Sequence, residues 1–178
     1  MKPSTWSRLK QRLGELDRSE LLALIRDLHA ASKDNQAFLN ARFGVGVDVL
    51  APYKATISRW ISPDVFGNQK ISISKAKKAI SDYKKAIGRP EGLAELSVFY
   101  CECCAKYLDA VTTDYEALFD ALVCMFEQAL GYVRGLEPER QEPLLRRIET
   151  VRHKAPKWGW NVDIDMDDLM VEYGFEDE

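Results

Sequence analysis

Four cysteines are the residues whose chemistry would be most distinctive, and three of them fall together in CECC (Cys101, Cys103, Cys104), with Cys124 about twenty residues on. A turn near Thr112 and Thr113 would lay Cys101 opposite Cys124, which suits a cysteine-rich zinc site. Helical geometry argues against it. At about 100° per residue, Cys101 and Cys103 point about 160° apart, and Cys124 sits among Asp120, Glu127 and Gln128, away from its own helix's apolar stripe. Zinc motifs space cysteines on a turn that wraps the ion, so the four read as small buried thiols with Cys124 at the surface, and no metal or other cofactor is expected. The run DIDMDD (Asp163, Asp165, Asp167, Asp168) has the alternating acids of a calcium loop but fails its register. Counted from Asp163, position six is Asp168 where glycine is required and position twelve is Gly174 where glutamate is required; counted from Asn161, position six is Met166. Asp163 or Asp165 is instead expected to cap a final helix.

Acid–base and nucleophile arrangements are sparse. His29 stands beside Asp27, and His153 between Arg152 and Lys154 suits a helix C-terminus. Gly44-Val-Gly46 lacks the third glycine and the preceding strand of a phosphate loop. Glu95, Glu102, Asp120 and Glu127 could meet across a helical hairpin, which keeps an enzyme with an unrecognised site as a third reading. No catalytic residue is assigned.

Charge is segregated along the chain. The 178 residues carry a net charge of −3, yet residues 1–13 hold four bases and no acid, residues 70–89 hold seven bases against Asp82, and residues 161–178 hold eight acids and no base. Lys75, Lys77, Lys78, Lys84, Lys85 and Arg89 lie on one helix, 74–89, and form the candidate interaction surface. An acidic protein is its favoured partner. Sequence-independent binding of nucleic acid is the alternative, disfavoured by a pI near 5.6 and by Tyr83 belonging to the buried stripe.

Periodicity supplies the elements that would position these groups, and it is helical throughout. Trp6, Leu9, Leu13 and Leu16 repeat at three and four, and Asp17 with Glu20 makes a capping box ahead of Leu21, Leu24, Ile25 and Leu28. Phe38, Leu39 and Phe43 lie on a short helix stopped by Gly44; Val49, Tyr53, Ile57, Trp60 and Ile61 mark another, with Pro52 near its start and Pro63 at its end. Ala76, Ile80, Tyr83 and Ile87 form the apolar side of the basic helix. From Pro90 to Asp109 apolar residues run almost round the circumference, leaving only Glu91, Glu95, Glu102, Lys106 and Asp109 as a polar strip, so this is the expected centre of the core. Thr112, Thr113 or Asp114 should cap the antiparallel helix that follows, with Leu118, Phe119, Leu122, Phe126, Leu130 and Val133 inward. Pro138 and Pro143 introduce a helix with Leu144, Ile148 and Val151; Met166, Leu169, Met170 and Tyr173 mark the last. The expectation is an all-α, single-domain bundle of about eight helices: N-terminal helices over 5–62, a connecting loop over 62–73, C-terminal helices over 74–173 around a buried central helix at 90–109, and a mobile acidic tail at 174–178.

The stretches LDRSELLALIRDL, SKDNQAFLNARF, SISKAKKAISDYKKAIGRPEGLAELSVFY, MFEQAL and WGW resemble, over nearly the whole chain, an uncharacterised bacterial family catalogued as a domain of unknown function. The resemblance implies a small all-helical cytoplasmic protein and brings no catalytic residue, cofactor or substrate. The CECC cysteines and Pro52 depart from its pattern. Composition agrees with a soluble globular domain: 46% of residues are hydrophobic, 30% are charged, and no stretch is long and apolar enough to span a membrane. Charges in MKPSTWSRLKQRLGEL occupy the place of a signal peptide's apolar segment. Protein interaction or scaffolding is the function expected by elimination, with a homo-oligomer open.

Overall fold

A computed structural model describes residues 5–45, 48–62 and 70–176, and these contain nine α-helices and no strand. The helices are α1 (Thr5–Leu13), α2 (Arg18–Ala31), α3 (Lys33–Phe43), α4 (Ala51–Ile61), α5 (Ile73–Ala86), α6 (Pro90–Ala110), α7 (Glu116–Arg134), α8 (Pro138–Arg152) and α9 (Val162–Glu172). Among the described residues no helix is long and apolar enough to cross a membrane.

Helix α6 is the axis of the bundle. Twelve of its 21 residues are buried, and α4, α5, α7 and α8 all pack against it, α7 most extensively. Burial here follows directly from composition: Leu96, Val98, Tyr100, Cys101 and Cys104 are wholly enclosed on different sides of one helix. Among the described residues the buried Ser97 hydroxyl has no hydrogen-bond partner, and the Tyr100 hydroxyl has no better one than the weak Cys104 thiol. Pro90 starts the helix, where its missing N–H costs nothing.

Helix boundaries follow local chemistry with three departures from the sequence reading. Asp17 caps α2 with the full reciprocal box: Glu20 N donates to Asp17 Oδ1 at 2.8 Å and Asp17 N to Glu20 Oε2 at 2.8 Å. Gly44 closes α3 at φ +64°, a conformation that favours glycine. The first departure is at α9: neither Asp163 nor Asp165 caps it, because the chain enters through three left-handed residues, Gly159, Trp160 and Asn161, and the helix has already begun at Val162. Likewise none of Thr112, Thr113 and Asp114 is the cap of α7; Thr113 Oγ1 accepts from Tyr115 N at 3.2 Å in a turn just before it. Pro143 lies inside α8 rather than at its start.

The connecting loop expected over 62–73 falls mostly outside the described residues, as does Pro63; where the chain resumes, Ser72 N donates to Trp60 O at 2.9 Å. At the far end Phe175 packs against the core and Glu176 pairs with Arg152, so the acidic tail begins docked; 177 and 178 lie outside the described residues. The N-terminal helices behave differently. Neither α1 nor α2 contains a buried residue, and the main packing of α2 is against α3.

Candidate interaction surfaces

The six cations singled out in the sequence are divided by the fold. Their helix, α5, ends at Ala86, and Arg89 belongs to the next turn as the N-cap residue of α6. Lys75 lies 3.9 Å from the centroid of the Trp60 ring on α4, a cation–π contact. Lys78 pairs with Asp82 one turn on and approaches Asp34 of α3 at 3.8 Å. Lys77 is half-buried, and Lys84, Lys85 and Arg89 are exposed; none of these four has an ion pair among the described residues. The acidic strip of α6 does not offset them. Glu91 pairs with Arg140, Asp109 with Lys154, and Glu95 and Glu102 with Arg147.

That last pairing settles where the four carboxylates stand. Arg147 holds Glu102 through two parallel bonds of 2.7 Å and donates from Nη1 to Glu95 Oε2 at 2.6 Å, while Lys54 Nζ meets Glu95 Oε1 at 2.6 Å. The result is a half-buried ionic tie joining α4, α6 and α8. Burial works to raise the Glu95 carboxyl, but the hydrogen bonds from Arg147 and Lys54 outweigh it and hold it below the ordinary carboxylate range. Asp120 and Glu127 are exposed on α7 and have no part in this tie. The arrangement joins helices and leaves neither carboxylate free to act as an acid or base.

The thiols are unpaired: Cys101, Cys103 and Cys104 are buried and Cys124 is exposed. Burial, with Glu102 nearby, pushes the Cys103 thiol up to about 12, and burial likewise raises Cys101 and Cys104 well above the ordinary thiol value. These three are therefore protonated and unreactive at neutral pH. Among the described residues no group of three or more His, Cys, Asp or Glu side chains could hold a metal ion. His153 Nδ1 lies 2.7 Å from Glu149 O in the last turn of α8, and Asp167 pairs with Arg152.

Two surfaces that periodicity alone did not single out emerge instead. The first is the N-terminal arm. Trp6 and Leu9 of α1, and Leu22, Leu24, Ile25 and Leu28 of α2, are exposed, Trp6 at 62% and Leu22 at 57%. The three cations of α1, Arg8, Lys10 and Arg12, accompany no acid within that helix. The second surface carries the opposite charge. Trp160 stacks on Phe119 with centroids 5.9 Å apart yet stays half exposed, Tyr115 lies exposed one turn before Phe119, and Ile164 projects from the first turn of α9. Asp114, Glu116, Asp163 and Asp165 accompany them in sequence, none with an ion pair among the described residues. Trp160 also adopts φ +60°, an uncommon and strained state for a bulky side chain. A glycine on one side and Asn161 on the other were its sequence signal.

Comparison with protein-family models, with curated proteins and with solved structures finds no match for this chain.

Proposed function

We propose that the chain is a non-catalytic protein-interaction domain that associates with copies of itself, the apolar and basic arm of one copy docking on the apolar and acidic Tyr115–Trp160–Ile164 surface of another. The observation that carries this reading is the arm: two helices with regular apolar stripes and no buried residue. An unpartnered apolar stripe of this kind marks an interaction surface, because a monomer gains nothing by exposing it. Charge complementarity selects the occupant, since Arg8 and Lys10 of α1 have no ion pair among the described residues, Arg12 being held by Glu15 at 3.1 Å, and Asp163 and Asp165 at the start of α9 have none either. The basic helix α5 contributes less than its composition suggested, because Lys75 and Lys78 are already engaged, and this weakens the nucleic-acid alternative as well. A cytoplasmic setting, which unpaired thiols suit, and the family resemblance are consistent with this reading.

Sedimentation velocity of the full chain over a concentration series tests it. The parent should form dimers or larger species, and Trp6→Ser with Leu9→Ser should return it to monomer at unchanged melting temperature. Arg8→Glu with Lys10→Glu should weaken association, and adding Asp163→Lys with Asp165→Lys should restore it. A parent that stays monomeric at hundreds of micromolar, or a Trp6/Leu9 variant that associates as well as the parent, would overturn the proposal.

A further inference from the structure

A cleft of about 830 Å³ opens where α3 ends and α6 begins, within the range of roughly 300–1,000 Å³ typical of small-molecule sites. Its charged lining residues are Arg42, Arg89, Glu91 and Arg140. Glu91 is neutralised by Arg140 at 2.6 Å, Arg42 Nη1 donates to Ala86 O at 3.2 Å, and among the described residues the other Arg42 donors have no partner and Arg89 has no ion pair. The lining is therefore cationic by two charges. It also contains the start of a 21-residue helix with no side-chain cap, whose Glu91 and Gly92 N–H groups have no backbone acceptor.

A second feature, independent of the helix end, points to a ligand. Tyr83 is 3% exposed, and its hydroxyl, with no hydrogen bond to any described residue, stays in contact with the open cleft rather than sealed in the core as the Tyr100 hydroxyl is. That hydroxyl faces the cleft against the first turn of α6, so close to Gly92 that a β-carbon there would fall 1.9 Å from it. Glycine at 92 is what lets a buried donor reach the same point as the free helix N–H groups. Burial pushes the Tyr83 phenol up, with Arg89 opposing and Glu91 reinforcing, so the hydroxyl keeps its proton at neutral pH and can donate to an acceptor that takes the place of water in the cleft. On the other wall Phe43 and Leu50 offer apolar surface.

We propose that this cleft binds a small phosphate monoester, its phosphoryl oxygens taken by Arg89, Arg42, the Tyr83 hydroxyl and the first N–H groups of α6, and its organic group lying against Phe43 and Leu50. Convergent donors at a helix N-terminus favour a tetrahedral, multiply charged oxyanion over a single carboxylate, because more of them can be used at once. The site is separate from the self-association surfaces and stands or falls without them.

Isothermal titration calorimetry of the full chain with phenyl phosphate, inorganic phosphate and benzoate tests the proposal. Phenyl phosphate should bind saturably at one per chain and more tightly than inorganic phosphate, with benzoate weakest. Arg89→Gln, which removes an exposed side chain without an ion pair, should weaken phenyl phosphate by about tenfold or more. Tyr83→Phe, which keeps the buried ring, should weaken it severalfold, whereas Lys84→Gln should change it by less than about twofold. No saturable heat, equal losses in Arg89→Gln and Lys84→Gln, or benzoate binding as tightly as phenyl phosphate would each overturn it.

Discussion

Helices α6 and α2 both announce themselves by apolar periodicity, and the fold treats them oppositely. Leu96 and Tyr100 of α6 are wholly buried, whereas Leu22 and Leu28 of α2 are more than half exposed. The difference lies in how much of each circumference is apolar and in what the chain supplies to cover it. Helix α6 is apolar on nearly every side and is flanked by α5 and α7, joined to it through short connections, so folding locally already encloses it. Helix α2 has one stripe and one substantial neighbour, α3. A periodic stripe tells which side chains want an apolar surface; it does not tell whose surface they receive.

Substitutions should sharpen this contrast, and the largest effect belongs to the centre. Leu96→Asp or Tyr100→Asp places a carboxylate without a partner among buried apolar side chains, at a cost comparable with the roughly 5–15 kcal/mol that holds a domain together. Circular dichroism at 25 °C should show an unfolded chain; a melting curve within a degree or two of the parent would remove α6 from the centre. Next comes the ionic tie. Arg147→Ala leaves Glu95 and Glu102 half-buried with Lys54 as the one remaining cation, and should cost about 2 kcal/mol, or roughly 4–8 °C in a chain of this size. Because the folded Glu95 carboxyl titrates below its ordinary value of 4.5, its share of the stabilisation is present above that pH and is lost as the pH falls through the folded value. Thermal melts should therefore show the parent's advantage over Arg147→Ala narrowing below pH 4.5.

The arm should be nearly silent in the same assay. Leu24→Ser with Ile25→Ser removes two apolar side chains that touch no core, so the melting temperature of dilute protein should move by less than about 2 °C while self-association is lost. The last effect has the opposite sign. Tyr100→Phe deletes a buried hydroxyl whose one hydrogen-bond partner among the described residues is the weak Cys104 thiol, and should raise the melting temperature by about 1–2 °C by differential scanning calorimetry.

Which parts of this were legible in the sequence follows from the range of the interactions. The capping box of Asp17 and Glu20, the stop at Gly44 and the burial of α6 depend on residues a few positions apart, and each could be read from spacing. The cleft depends on Arg42, Arg89 and Arg140, each about fifty residues from the next along the chain, and on the place of the Tyr83 hydroxyl against the start of α6. No local pattern reports that. The acidic strip of α6 was visible, but its partners were not, because Arg140 and Arg147 of α8 and Lys154 just after it face the strip only after α8 folds back across α6. Similarly, the spacing of six cations over residues 74–89 does not report the contacts of Lys75 with Trp60 or of Lys78 with Asp82 and Asp34, which come from other turns and helices.

The contrast between an enclosed body and an arm awaiting a second copy is tested most directly by amide hydrogen exchange at two protein concentrations. Amides of α6 should exchange slowly and at the same rate in dilute and concentrated samples, since their protection comes from within one chain. Those of α1 and α2 should exchange rapidly when dilute and slow down when concentrated, with amides around Trp160 to Asp165 slowing in parallel. Protection of the arm that is independent of concentration, or α6 amides that exchange as fast as those of α2, would contradict the account.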